Sequence, residues 1–422
     1  MLKLPHCDNK IRSIEMPQPP KECPLSAEKI VHKPSDPKTI RVNSSQTISP
    51  PALHIVSKGL SDISSTKLPD NFSWYKKDNN IIEDGRRNQG SLGCCWSMAS
   101  ASVLGDRIAI KYKKESPYPS SAFLMLCGNG DYTPSDQNCG GNNYIAVQFM
   151  QNNGLKLESC FPYSDFVNFS NNTTVKYIKG DGSCKYLPDN CCSRCCSNKQ
   201  SNVLFTAAKN SKDHSSGTIV SLNNDGTVNN EATTTAIQKE IMSHGPVLTS
   251  FFVFNDFQTF WQNNIINNFS KRIKNNTFED ICPDVYIPNS QSGAAGAHSV
   301  AIVGWGYDEV TKKRFWEVRN SWGRVSLGDK YGPGIMRFAF SLDTPKNSWT
   351  GIDIAKPIGN GYYQSGPITF LAGEALNWDG KSEKLPDHDY SNSDIPIIND
   401  KKILLVVLIV IVLVLVLILL FK

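Results

Sequence analysis

Residues 403–421, ILLVVLIVIVLVLVLILLF, run without one polar side chain and are bracketed by Lys401, Lys402 and Lys422. A helix buried in a globular core keeps a polar stripe somewhere on its surface, and this segment has none. Its length matches the about 20 residues that carry a helix across a bilayer. The run predicts a single C-terminal transmembrane helix, which makes the lipid bilayer a partner and confines any soluble core to the residues before it.

Those preceding residues divide by composition. Residues 1–67 are rich in Pro, Ser and Lys with no sustained period, which reads as a flexible leader or propeptide. Regularly spaced aromatic and aliphatic residues from Leu68 to Pro357 mark one folded domain. Within it, 164–230 is dominated by Asn, Ser, Lys and Cys and reads as a surface insertion. Residues 358–402, with Gly, Pro, Asn and Asp throughout, read as a stalk leading to the span. The net charge of +5 is spread along the chain without a basic block or basic-aromatic interleaving, so no nucleic-acid partner is expected.

The segment CCWSMASASVLGDRIAIKYKK (94–114) has a mixed helical stripe with small residues for close packing. AIQKEIMSHGP (236–246) reads as a second helix, stopped by Gly245-Pro246. VLTSFFVF, HSVAIVGWG and RFWEVRNSWG are β-branched and aromatic and read as strands. A helix first and strands later predict an α+β fold with two subdomains.

The chemistry begins with the adjacent thiols Cys94 and Cys95 at the predicted helix start. A helix N-terminus and a nearby imidazolium lower a thiol's pKa and make it a nucleophile. Six residues before Cys95, the Gln89 amide is placed to donate to a developing oxyanion. Of seven histidines, only His298 leads into an apolar strand, and Asn320 ends the next strand pattern. Antiparallel pairing of those strands would set Asn320 beside His298, where its oxygen holds the imidazole in one tautomer. Taken singly, each residue has a bland structural reading as a turn, strand-start or loop residue; the ordered set carries the signal.

Gln89, Cys95-Trp96, Gly-Ala-His298 and Asn320-Ser-Trp-Gly, taken together over 68–357, resemble the papain family of cysteine peptidases. Within it, IQKEIMSHGPVLTSFFVFNDF (237–257) and TGIDIAKP (350–357) are similar to cathepsin B, and ESCFPYSDF (158–166) to cathepsin C. The resemblance implies a papain-like two-subdomain fold, helical on the left and β-barrel-like on the right. It implies a Cys95-His298-Asn320 triad with Gln89 in the oxyanion hole, polypeptide substrates and no metal or other cofactor. It implies substrate contacts at Gly140 and Gly141, and an S2 subsite lined by Ser250, Ser299 and Ala355. None of those three carries charge, so an apolar P2 side chain is expected. Cathepsin B trims dipeptides with a His pair in an occluding loop; the corresponding insertion here has only His214, which implies an endopeptidase.

The chain departs from the family pattern at Leu92, where a half-cystine is usual, leaving Cys139 free or paired anew, with Cys94 as one candidate. Asn142 replaces a glycine, Leu327 a tryptophan and Cys94 a serine. Thirteen cysteines predict disulfides or a metal site, and the cluster Cys184, Cys191, Cys192, Cys195, Cys196 is read as disulfides, bound zinc or reduced thiols. The N-terminal MLKLPHCDNKIRSIEMPQPP has no apolar run of the secretory type, which places the bulk of a tail-anchored chain in a reducing compartment. A virion membrane reconciles the two expectations, as for membrane-tailed members of this family in large DNA viruses. Two rival readings are a catalytically inactive papain-fold binding or structural protein and a zinc hydrolase built on the cysteine cluster.

Overall fold

The computed structural model describes residues 67–77, 81–83, 85, 87–89, 93–127, 141, 143–163, 167–168, 173–174, 203–208, 217–221, 223–225, 227–261, 285–323, 326–327, 330–331, 334–354, 357–359, 362–363, 368–370 and 372–381. Its helices are α1 (Trp74–Lys77), α2 (Cys95–Tyr112), α3 (Ser121–Cys127), α4 (Asn143–Asn152), α5 (Asn230–His244) and α6 (Asp256–Phe260). The strands that position the site are β1 (Phe72–Ser73), β2 (Leu204–Ala207), β3 (Gly217–Ile219), β4 (Val247–Phe254), β5 (Val285–Tyr286), β6 (Ala294–Asp308), β7 (Lys313–Arg319), β8 (Ile335–Ala339), β9 (Ile368–Phe370) and β10 (Gly373–Leu376).

Helix α2 is buried all the way round from Trp96 to Ala109, which explains its weak sequence stripe: no face needs to be polar. The run Ala99-Ser100-Ala101-Ser102 lets neighbours approach closely, and α2 touches α3 and α4 on one side and the central strands β4 and β6 on the other. It stops at Lys113, whose left-handed backbone (φ 53°) closes the last turn. Helix α5 starts at Asn230, six residues before the sequence reading had it. The β-branched run Thr233-Thr234-Thr235 hides the helix, yet Asn229 caps it by accepting from the Ala232 N–H at 2.9 Å. Thr233 makes the i−4 hydrogen bond to Asn229 O at 2.8 Å.

The sheet runs in the order β3-β9-β4-β6-β7-β8-β5, with β1 paired to the side of β6. All these pairs are antiparallel except β8 with β5. Where a barrel-like half was expected, the described residues form an open path, its end strands β3 and β5 unpaired with each other. Register sets Ser250 opposite Ser299 and Phe251 opposite His298. Ala301 opposite Arg319 then carries the chain leaving β7 back alongside His298. Phe251, Phe257, Tyr286 and Phe338 pack edge-on and tilted beneath this region, with ring centroids 4.7 to 5.6 Å apart.

Two boundaries differ from the sequence reading. The segment 164–230, expected as a surface insertion, supplies β2, whose Phe205 is fully buried, and β3. The segment 358–402, expected as a stalk, supplies β9, which lies between β3 and β4, and β10, which pairs with β2 along its length. The folded unit therefore extends past Pro357 to at least Leu376. These strands are only three or four residues long and acquire partners distant in sequence, so no local alternation announces them.

The leader 1–66, the cysteine cluster at 184–196 and the apolar run 403–421 lie outside the described residues. Among those described, no helix is long and apolar enough to cross a membrane.

Candidate active site

Cys95 is the first residue of α2, and Cys94 stands at the N-cap without capping the helix through its side chain. The Cys95 Sγ accepts the Ser299 backbone N–H at 3.4 Å. His298 Nε2 meets Asn320 Oδ1 at 2.7 Å. The same oxygen accepts the Ser321 N–H at 2.8 Å; a backbone donor there fixes which end of the Asn320 amide is oxygen. Nε2 therefore carries a proton, and Nδ1 remains for the sulfur. Burial alone would raise the Cys95 thiol, but the His298 charge, its hydrogen bond and the N–H groups of Ser299 and Trp96 bring it below its ordinary value. Burial likewise opposes the His298 charge, yet Cys95 and the Asn320 hydrogen bond raise it overall. The pair is suited to a thiolate and an imidazolium side by side.

Apolar rings shield this pair. The Trp322 ring lies 5.1 Å from that of His298, tilted by 34°, and Phe251 meets the imidazole edge-on at 5.7 Å. His298 and Asn320 are 5% and 3% exposed, so water does not compete for their hydrogen bond.

Gln89 is held from three sides. Its N–H donates to Ser321 O at 2.8 Å, its Oε1 accepts the Ser321 hydroxyl at 2.6 Å, and its carbonyl accepts the Tyr163 hydroxyl at 2.8 Å. With Oε1 engaged by Ser321, Nε2 is the end of the amide able to serve an oxyanion.

Tyr163 Oη also lies 3.1 Å from Cys94 Sγ. The phenol gives its one proton to Gln89 O, so the Cys94 S–H donates to the phenol. Burial pushes Cys94 up to about 12, against the lowering effect of the Tyr163 hydrogen bond. Cys94 is a free thiol here, so the pairing with Cys139 considered from sequence is not formed. Cys127 and Cys160 are disulfide-bonded.

The remaining expected positions are only partly in view. Gly140 and Ala355, like Leu92 and Asn142, lie outside the described residues. At Gly141 a Cβ would fall 2.2 Å from the Trp96 ring, so glycine is required where the backbone crosses the residue after Cys95. Ser250 and Ser299 face each other with hydroxyls 3.1 Å apart. Among the described residues, no group of three or more His, Cys, Asp or Glu could hold a metal ion.

Sequence reasoning missed Tyr163, Ser321 and Asn143, and also a buried ionic network behind the site. Arg319, the residue before Asn320, pairs with Asp106 of α2 at 2.5 Å and donates to Ser102 Oγ and Glu83 O. Arg87 forms a fork on Glu83 at 2.6 and 2.7 Å. The network ties the helix that begins with Cys95 to the strand that leads to Asn320. Tyr163 was visible as part of CFPY; the ionic partners, far apart in sequence, had no local signal.

A family model described as papain family cysteine protease matches residues 68–332. Probable cysteine proteinase 024R of Invertebrate iridescent virus 3 is 26% identical over 295 residues, covering 62% of this chain and 55% of the viral protein. This chain therefore spans little more than half the length of that relative. Cathepsin B-like cysteine proteinase 4 of Caenorhabditis elegans is 27% identical over 293 residues, covering 64% of this chain and 70% of the worm protein. The solved structure of proCathepsin B S9 from Trypanosoma congolense is 18% identical, with a TM-score of 0.45 over 72% of this chain and 80% of that one. The family model covers well over half of the sequence and includes the segments that carry Cys95, His298 and Asn320: this chain belongs to the papain family of cysteine proteases.

Proposed function

We propose that the protein is a membrane-anchored endopeptidase that cleaves peptide bonds through Cys95, His298 and Asn320. The observation that carries this reading is the buried His298, hydrogen-bonded to Asn320 on one side and to the Cys95 sulfur on the other. The Cys95 thiolate attacks the substrate carbonyl, and the charge developing on oxygen is met by the Cys95 N–H and Gln89 Nε2. His298 gives its proton to the leaving amine, then takes one from the water that cleaves the thioester. Asn320 keeps the imidazole oriented through both steps. Endopeptidase action is supported by the lone His214 in a segment where dipeptide trimming would need a histidine pair. The anchor is the apolar run 403–421, bracketed by lysines, and a virion membrane is the location we propose for it.

The test is a thiol-reactive epoxide peptide probe. It is expected to modify Cys95, to lose its target in Cys95→Ala and to keep it in Cys94→Ser. Labelling that follows Cys94 instead would reverse the assignment, and no labelling of either thiol would leave the chain without the proposed activity.

A further inference from the structure

Gln89 belongs to no helix or strand, so the orientation of its amide must come from its hydrogen-bond partners. Ser321 and Tyr163 both hold it, and each reaches back to a member of the triad. Ser321, directly after Asn320, accepts the Gln89 N–H through its carbonyl at 2.8 Å and gives its hydroxyl to Oε1 at 2.6 Å. Tyr163 closes the other side. Its hydroxyl donates to the Gln89 carbonyl at 2.8 Å, and the same oxygen lies 3.1 Å from the sulfur of Cys94, the residue before Cys95.

The phenol is a fixed post. Tyr163 is 4% exposed, its N–H donates to Glu158 Oε1 at 2.7 Å, and Cys160, three residues earlier, is disulfide-bonded. Cys94 is as firmly placed: it is fully buried, and its carbonyl accepts the N–H groups of Ser97 and Met98 in the first turn of α2. A carbonyl cannot donate, so the phenol proton points at Gln89 and the thiol proton at the phenol oxygen. The donors thus run in one direction, S–H to O–H to C=O, and each bond polarises the next. Burial keeps the proton on Cys94, so this direction holds at neutral pH. The chain starts one residue from the nucleophile and ends on the backbone of the oxyanion residue.

We infer that Tyr163 is a positioning residue of the oxyanion hole, and that Cys94 acts with it by directing the phenol proton onto the Gln89 carbonyl. This inference rests on the peptidase reading and deepens it. Without the phenol hydroxyl the buried Gln89 carbonyl loses this donor, and the peptide plane from which the side chain starts is free to tilt. A slightly misplaced amide still tolerates the ground-state substrate but serves the developing oxyanion less well, so the loss falls on kcat. The thiolate itself is untouched, because His298 and the N–H groups of Ser299 and Trp96 stabilise it.

Full-length Tyr163→Phe, which keeps the ring and loses only the hydroxyl, is compared with wild type in two assays. Turnover of a fluorogenic peptide amide forms an oxyanion. Alkylation of Cys95 by iodoacetamide, read by mass spectrometry of the Cys95 peptide across pH, does not. In Tyr163→Phe, kcat is expected to fall about 10-fold with KM changed by less than about 3-fold, while the alkylation rate and its pH profile stay those of wild type. Cys94→Ala is expected to lower kcat about 3-fold, and Cys94→Ser, which keeps a donor, to restore it. In Gln89→Ala, already without the amide, adding Tyr163→Phe is expected to cost less than about 2-fold more.

An unchanged kcat in Tyr163→Phe overturns the inference, as does a loss of about 10-fold that persists in the Gln89→Ala background. Slowed alkylation in Tyr163→Phe overturns it too, since the hydroxyl then supports the whole site rather than the oxyanion residue. Cys94→Ser falling as far as Cys94→Ala removes the part assigned to Cys94. Wild-type protein alkylated at Cys95 but inert across a fluorogenic peptide library refutes the peptidase reading, and the positioning role with it.

Discussion

Replacing Glu158 with Gln is expected to stabilise the protein above neutral pH and to change little at pH 4. The Glu158 side chain is 12% exposed and stands 3.8 Å from Nη1 of Arg87, whose Nε and Nη2 already donate to Glu83. Its Oε1 accepts the Tyr163 N–H at 2.7 Å, while its Oε2 has no hydrogen bond. Burial, only partly offset by Arg87 and the backbone donors, raises the carboxyl from 4.5 to about 7. Below 4.5 the group is protonated in folded and unfolded chains alike and costs nothing. As pH rises toward 7, the unfolded chain releases the proton and the folded one resists, so stability is lost through that window and stays lost above it. At roughly 1.4 kcal/mol per pH unit the loss approaches about 3 kcal/mol, a ceiling because part of the side chain still meets water. Gln keeps the carbonyl that receives the Tyr163 N–H and cannot ionise. Urea unfolding followed by tryptophan fluorescence at pH 4, 7 and 9 should show the variant's advantage growing with pH. A variant less stable than wild type at pH 9, or a difference independent of pH, would refute the reasoning.

The pH dependence of kcat/KM should be bell-shaped, falling on the acid side as the lowered Cys95 thiolate is protonated and on the alkaline side as the raised His298 loses its charge. Asn320→Ala removes one of the interactions that raise His298, so its alkaline limb should move to lower pH with a loss of about 10-fold or more in rate; an unmoved limb would remove Asn320 from the mechanism. Full-length protein should stay with membranes in alkaline carbonate through 403–421, while a chain ending at Asp400 should be soluble and still labelled at Cys95; release of the full-length chain into the wash would exclude a span.

The main pieces of the site were legible because they are local. Cys95 before a helical stripe, His298 on an apolar strand and Asn320 after the next strand are patterns that each span only a few residues, and the β-branched and aromatic run VLTSFFVF gave the limits of β4. The ordered set of motifs also gave the family. Strands β9 and β10 were not legible, because three- and four-residue strands in a Gly- and Asn-rich segment depend on partners far along the chain. The same holds for the pairing of Asp106 with Arg319, 213 residues apart in the chain and 2.5 Å apart in the interior.

Side by side in the sequence, Cys94 and Cys95 are the same chemical group, and only their match to a family motif separates them there. The fold separates them physically. It turns Cys95 toward His298 and the Ser299 N–H, where a thiolate is stabilised by opposite charge and a donor. It turns Cys94 into a water-free interior beside Tyr163, where the proton is kept. The sequence determined that a thiol would stand at this helix start; the tertiary structure decided which one is acidic, because a thiol's acidity is set by the charges, donors and water around it, and these come from segments distant in the chain.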